Sequence, residues 1–146
     1  MTWACRSSAT PIGTSGRRAR IRDLQQAAGP EALTLSASHD GYRFLPGAPQ
    51  HHRRFVLTPR DLRIEDRLSA PAAGEARFHL HPEVAARLTP EGAQLTLPGG
   101  QSLTLHAPGL HREESRWHPE FGRSCPNICL TLPLTAGAAD IRMTWS

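Results

Sequence analysis

Eight histidines in 146 residues are the first place to look for chemistry, because imidazole binds metals, moves protons and titrates near neutrality. In Ser38-His39-Asp40-Gly41-Tyr42 a histidine leaves an alternating run directly before an Asp-Gly turn. His39 is a candidate metal ligand there, one ring nitrogen on the ion and the other oriented by a carboxylate. The alternative is that Asp40-Gly41 makes the turn and His39 is an ordinary strand-end residue. In His51-His52-Arg53-Arg54 the two histidines project to opposite faces of a strand, so they cannot chelate one ion together. Arg53 and Arg54 are candidates for meeting the carboxylates or sulfates of an acidic polysaccharide; the alternative is that they cover a sheet surface or pair with Glu65 and Asp66 on a neighbouring strand. His79 and His81, two apart, share a strand face, with Phe78 and Leu80 on the other. That spacing suits either a metal or a solvent-facing polar edge. Trp117-His118-Pro119-Glu120-Phe121-Gly122 forms an aromatic, proline-bearing corner. Trp117 is a candidate for stacking on a sugar ring, or for closing the end of a sheet core.

Other chemistry has no signature. The chain contains no Gly-x-Ser-x-Gly elbow, phosphate loop or dinucleotide fingerprint, and no His-x-x-x-His or Cys-x-x-Cys spacing for zinc. Cys125 and Cys129, if extended, are too far apart for a disulfide, so these and Cys5 are expected to be inert thiols in a reducing compartment. No catalytic residue follows from the residues themselves.

The formal charge of +4 invites a nucleic-acid reading, but the distribution argues against it. All seventeen basic residues are arginine, most with an acidic or apolar neighbour close by. Only Arg17, Arg18, Arg20 and Arg22 cluster, and Asp23 follows at once. A phosphate-binding surface concentrates its charge. No nucleic-acid partner is expected. No membrane partner is expected either, since no stretch approaches the ~20 apolar residues of a spanning helix. Met1 to Gly16 shows no apolar signal-peptide core, which makes the cytoplasm the default compartment.

These residues need short strands to position them. Thirteen prolines and twelve glycines break the chain every few residues and leave no room for long helices. Residues 1–16 carry no period and read as an irregular or disordered leader. From Arg17 to Ser146 the pattern is of alternating runs: Leu33 to Ser38, His52 to Leu57, Leu62 to Leu68, Ala76 to His81, Ala93 to Leu97, Gln101 to Leu105, Asn127 to Leu132 and Asp140 to Trp145. The second and third form a hairpin over Thr58-Pro59-Arg60-Asp61, and Pro98-Gly99-Gly100 turns another. Pro82 to Arg87 is expected to make a short helical turn. The fold class expected is all-β, an antiparallel two-sheet sandwich with little helix.

Taken together, six motifs resemble the tail of heparinase II/III-like polysaccharide lyases in order and spacing: Arg17-Arg18-Ala19-Arg20, His39-Asp40-Gly41-Tyr42, His52-Arg53-Arg54, Ile64-Glu65-Asp66-Arg67-Leu68, Arg77-Phe78-His79-Leu80-His81-Pro82 and Ser115 to Gly122. The resemblance covers Arg17 to Ser146. It implies a lyase of uronic-acid-containing glycans acting by β-elimination, with an N-terminal α/α toroid ahead of antiparallel sheets and the cleft between them. The acid, base and uronate-neutralising groups of such enzymes come mostly from the toroid and the first sheet strands, which have no counterpart here. The His-Asn-Thr stretch that precedes the Arg-Arg-Ala-Arg element in the family is also missing. Catalytic residues are therefore assigned to none of this chain. The resemblance further implies a structural zinc held by two histidines and an aspartate in some members. His39 matches the last of these ligands, the other two falling upstream, so zinc is not expected to bind well to this chain alone. The implied partners are an acidic polysaccharide and a missing or separately encoded toroid domain, and the implied compartment of intact relatives is the periplasm or cell envelope. The expectation is a lyase fragment, inactive by itself and marginally stable; the alternative is a non-catalytic module that binds acidic carbohydrate.

Overall fold

A computed structural model describes residues 2–4 and 18–146 of the chain. Twelve strands account for its regular structure: β1 (Thr2–Ala4), β2 (Ile21–Ala28), β3 (Leu33–His39), β4 (His51–Leu57), β5 (Asp61–Leu68), β6 (Glu75–His79), β7 (Ala85–Thr89), β8 (Gly92–Thr96), β9 (Ser102–His106), β10 (His111–Trp117), β11 (Cys125–Pro133) and β12 (Ala138–Trp145). The large sheet runs β2-β3-β4-β5-β12-β9-β8-β7 and the small one β1-β6-β11-β10. Every pairing is antiparallel. This is the two-sheet sandwich the alternation demands.

Both expected hairpins form. Thr58 receives Asp61 N–H on its Oγ1, closing the β4–β5 turn, and Gly100, at φ +82°, takes the left-handed position of the β8–β9 turn. Gly92 is required for a different reason. At φ +143° a Cβ there would lie 2.0 Å from Leu105 O, so only a bare backbone fits against β9.

Three strands carry no readable alternation. All eight residues of β2 are exposed, and β10 is charged on both faces. Both are sheet edges, where water on two sides removes the pattern that burial imposes. β7 corrects an expectation. The helical turn foreseen at Pro82 to Arg87 is only a tight turn, with Val84 N–H donating to His81 O, and Ala85–Thr89 then pairs with β8. Proline suits a helix start, but Ala86 and Leu88 face Leu95 and Ala93 across the ladder, and sheet pairing overrides the local preference. Within the expected irregular leader, Thr2–Ala4 pairs with β6; the rest of it, including Cys5, lies outside the described residues.

The core lies between the sheets. Ile64, Ile141, Leu105, Ala93 and Leu95 from the large sheet meet Ala76, Phe78, Leu130 and Leu132 from the small one. Coverage is uneven. Leu35, Phe55, Ile64 and Ile141 lie in one cross-strand row and share a face. Ile64 and Ile141 are 0% and 2% exposed, whereas Leu35 is 42% exposed, and Leu33 and Leu57 beside it are also open. Among the described residues, the small sheet stops short of the β2-β3-β4 half and leaves apolar side chains on an inner face uncovered.

Candidate functional site

The same inner face changes from apolar to polar along β3, β4 and β5. Ala37 pairs with Arg53 and His39 with His51, while Arg53 pairs with Asp66. Directly paired residues share a face, so His39, His51, Arg53 and Asp66 must meet. Asp66 is wholly buried. Its Oδ1 receives Arg53 Nε at 2.7 Å and its Oδ2 receives Arg53 Nη2 at 2.8 Å. This fork is the strong geometry for an arginine–carboxylate pair. His51 Nε2 reaches Oδ1 at 2.6 Å, and His51 Nδ1 lies 3.0 Å from His39 Nε2.

One backbone group sets the direction of the whole chain. Gly41 N–H donates to His39 Nδ1 at 3.2 Å, so that nitrogen carries no proton and neutral His39 holds its hydrogen on Nε2. Nε2 then donates to His51 Nδ1, which leaves His51 with its hydrogen on Nε2, aimed at Asp66. Burial, with the neighbouring His51 adding to it, holds the His39 pKa below its ordinary value, in keeping with a ring that must accept from Gly41. Burial alone would raise the Asp66 pKa, but the hydrogen bonds from His51 and Arg53 outweigh it and keep the carboxyl below its usual range.

Asp40, next to His39, ties down the chain entering β2. It accepts Arg20 N–H at 2.8 Å and the guanidinium groups of Arg22 and Arg43, and the Arg20 bond leads in lowering its pKa. Part of the basic cluster seen in sequence is thus spent on a carboxylate.

Two of the candidate residues meet and two do not. Arg53 joins His39 through His51 and Asp66. Arg54 points to the opposite face and faces Glu65 at 3.5 Å, both half-exposed. Trp117 stands on the small sheet, its ring 4.9 Å from that of His81. His51 and Asp66 are the members that the motifs underrated. The signal was present: in Leu62-x-Ile64-x-Asp66-x-Leu68 the aspartate occupies core parity, and a buried carboxylate must find partners.

The two imidazoles offer two nitrogens to a metal, but among the described residues no group of three histidine, cysteine, aspartate or glutamate side chains is placed to hold an ion. Zinc sites in proteins use three or four protein ligands. The described residues by themselves therefore do not complete the zinc site implied by the resemblance; among them His39 is bonded to Gly41 and His51.

The sequence profile described as heparinase II/III-like, C-terminal, matches residues 4–144. No curated protein matches in sequence. In fold, the chain is similar to heparan sulfate lyase HepC from Pedobacter heparinus, with TM-score 0.68 and 14% identity over 86% of this chain and 21% of that one. It is also similar to a heparinase III solved with methylated lysines, with TM-score 0.62 and 14% identity over 87% of this chain and 21% of that one. The chain thus spans about a fifth of the length of these structures. Such identities speak for the fold, and the profile speaks for descent. The chain belongs to the heparinase II/III-like family and corresponds to its C-terminal domain.

Proposed function

We propose that this chain is the sheet wall of a polysaccharide lyase for uronic-acid-containing glycans, active only with further protein that supplies the reacting groups. The observation that carries this reading is the half-covered large sheet, whose Leu33, Leu35 and Leu57 side chains face outward from an inner surface built to be packed against. An α/α toroid is the occupant we assign to that face. The buried Asp66–His51–His39 chain and the Arg53 fork would give that wall a fixed polar patch beside the covering protein.

In the assembled enzyme, a base removes the C5 proton of a uronate whose carboxylate is neutralised, the C4–C5 double bond forms, and the C4–O bond breaks with the leaving oxygen protonated. A structural zinc would require a third ligand from beyond the described residues. The test is release of unsaturated uronate from heparan sulfate and related acidic glycans, followed by absorbance. The chain alone is expected to yield none; robust turnover by it would refute the division of labour. A non-catalytic acidic-carbohydrate module is the second reading, favoured by the open, arginine-bearing edge of the small sheet. Glycan binding by the chain with no other protein present would support it.

A further inference from the structure

We infer that the free edge of β2 pairs with the β2 edge of a second copy of this chain, antiparallel about a two-fold axis at Ala27, so that two large sheets join into one. The pairing lies in the plane of the sheet and stands apart from the glycan reading above. Among the described residues β2 ends the large sheet, and its whole length is exposed. An edge strand presents unpaired backbone N–H and C=O groups, and the partner that answers them is another extended strand.

Register shows which groups are free. Gly29 N–H donates to Ala32 O at 2.9 Å where the β2–β3 hairpin turns. In an antiparallel ladder, bonded and non-bonded pairs alternate. Ala27–Thr34 and Gln25–Ser36 are therefore bonded pairs, while Ala28–Leu33 and Gln26–Leu35 are not. Gln26 and Ala28 thus turn both of their backbone groups away from β3, towards the open edge. An axis at Ala27 sets Gln26 of each copy opposite Ala28 of the other, and every one of these outward groups is then bonded. Ala27 meets its own copy as a non-bonded pair, where Cα atoms approach to about 4.5 Å and a methyl side chain fits.

Charge decides which edge can do this. From Leu24 to Ala28 the strand holds no charge and no proline, two common guards of a sheet edge. A bulge is a third guard, and β2 has one, its pairing shifting between Arg22 and Gln25 with Asp23 at φ +51°. That bulge lies ahead of Gln25 and leaves the ladder from Gln25 to Ala28 regular. Edge strand β10 is the opposite case. Paired with itself about its midpoint, it would set Glu114 against Glu114 and Arg112 against Arg116, like charges in both places. β7 is shorter, with Arg87 at its centre. β2 is the edge that receives its own copy without repulsion.

So short a pairing gives a weak dimer, and the experiment is sedimentation equilibrium of the intact chain up to about 1 mM. A monomer–dimer equilibrium is expected. Gln26→Pro removes an N–H that β3 does not use. It is expected to weaken dimerisation by at least about tenfold, because the axis counts the lost bond twice, while circular dichroism still reports the sheet. Ala27→Glu, at an exposed position, brings two carboxylates together and is expected to do the same. Ala27→Cys is expected to oxidise to a dimer linked at position 27, whereas Gln25→Cys is not. Leu35→Thr, on the inner face, is expected to lower association beyond the dimer and leave the dimer itself. A strict monomer at that concentration, a dimer that survives both Gln26→Pro and Ala27→Glu, or open-ended growth without a dimer would overturn the inference.

Discussion

His51 Nε2 and Asp66 Oδ1 meet at 2.6 Å where the side chains are 4% and 0% exposed, and nothing else in the large sheet buries polar groups so deeply. The arrangement persists because every member is bonded. Arg53 supplies the positive charge, His39 occupies the far ring nitrogen of His51, and Gly41 fixes the tautomer of His39.

Breaking the fork should therefore be far more damaging than breaking its exposed neighbour. Asp66→Ala leaves the buried His51 and the largely covered Arg53 without their carboxylate and is expected to cost about 3–5 kcal/mol. Arg54→Ala, which removes only the 3.5 Å surface pair with Glu65, should cost no more than about 1 kcal/mol. Urea unfolding of both variants measures the difference; equal losses would contradict the buried role of the fork.

Acid stability follows from the same carboxyl. The folded Asp66 pKa lies below its ordinary value of 3.8, so below that value unfolding takes up a proton. The stabilisation is fully present above about pH 4 and fades as pH falls through the folded value. Thermal melts from pH 5 to pH 2 should show this acid limb flattened in Asp66→Asn, alongside a lower plateau.

The thiols should differ sharply in reactivity. Cys129 is completely buried, and burial raises its pKa, so little thiolate forms and no reagent reaches it. Cys125 is partly exposed. Iodoacetamide at pH 8, read by peptide mass mapping, should label Cys125 and spare Cys129 until denaturant is added. Rapid labelling of Cys129 in the folded chain would contradict its packing.

The open inner face should show itself as self-association. Leu33, Leu35 and Leu57 form an apolar patch that water must cover. Light scattering should report concentration-dependent association of the chain, reduced by Leu35→Thr with no loss in melting temperature. A strictly monomeric chain with a sharp, reversible melt would argue that the face needs no partner.

The sequence by itself determined the fold class, eight of the strands and both tight hairpins, because period-two alternation and Gly/Pro punctuation are local consequences of burying one face of a strand. It also marked His39 and Arg53 as unusual, and six short motifs in order were enough to suggest the family. Edge strands β2, β7 and β10 stayed hidden because water on their open sides leaves no alternation to read. Only tertiary structure decided which polar residues meet. Arg53 and Asp66 are thirteen residues apart and become partners through the register of β4 on β5. Arg54, its immediate neighbour, is sent to the other face by the pleat.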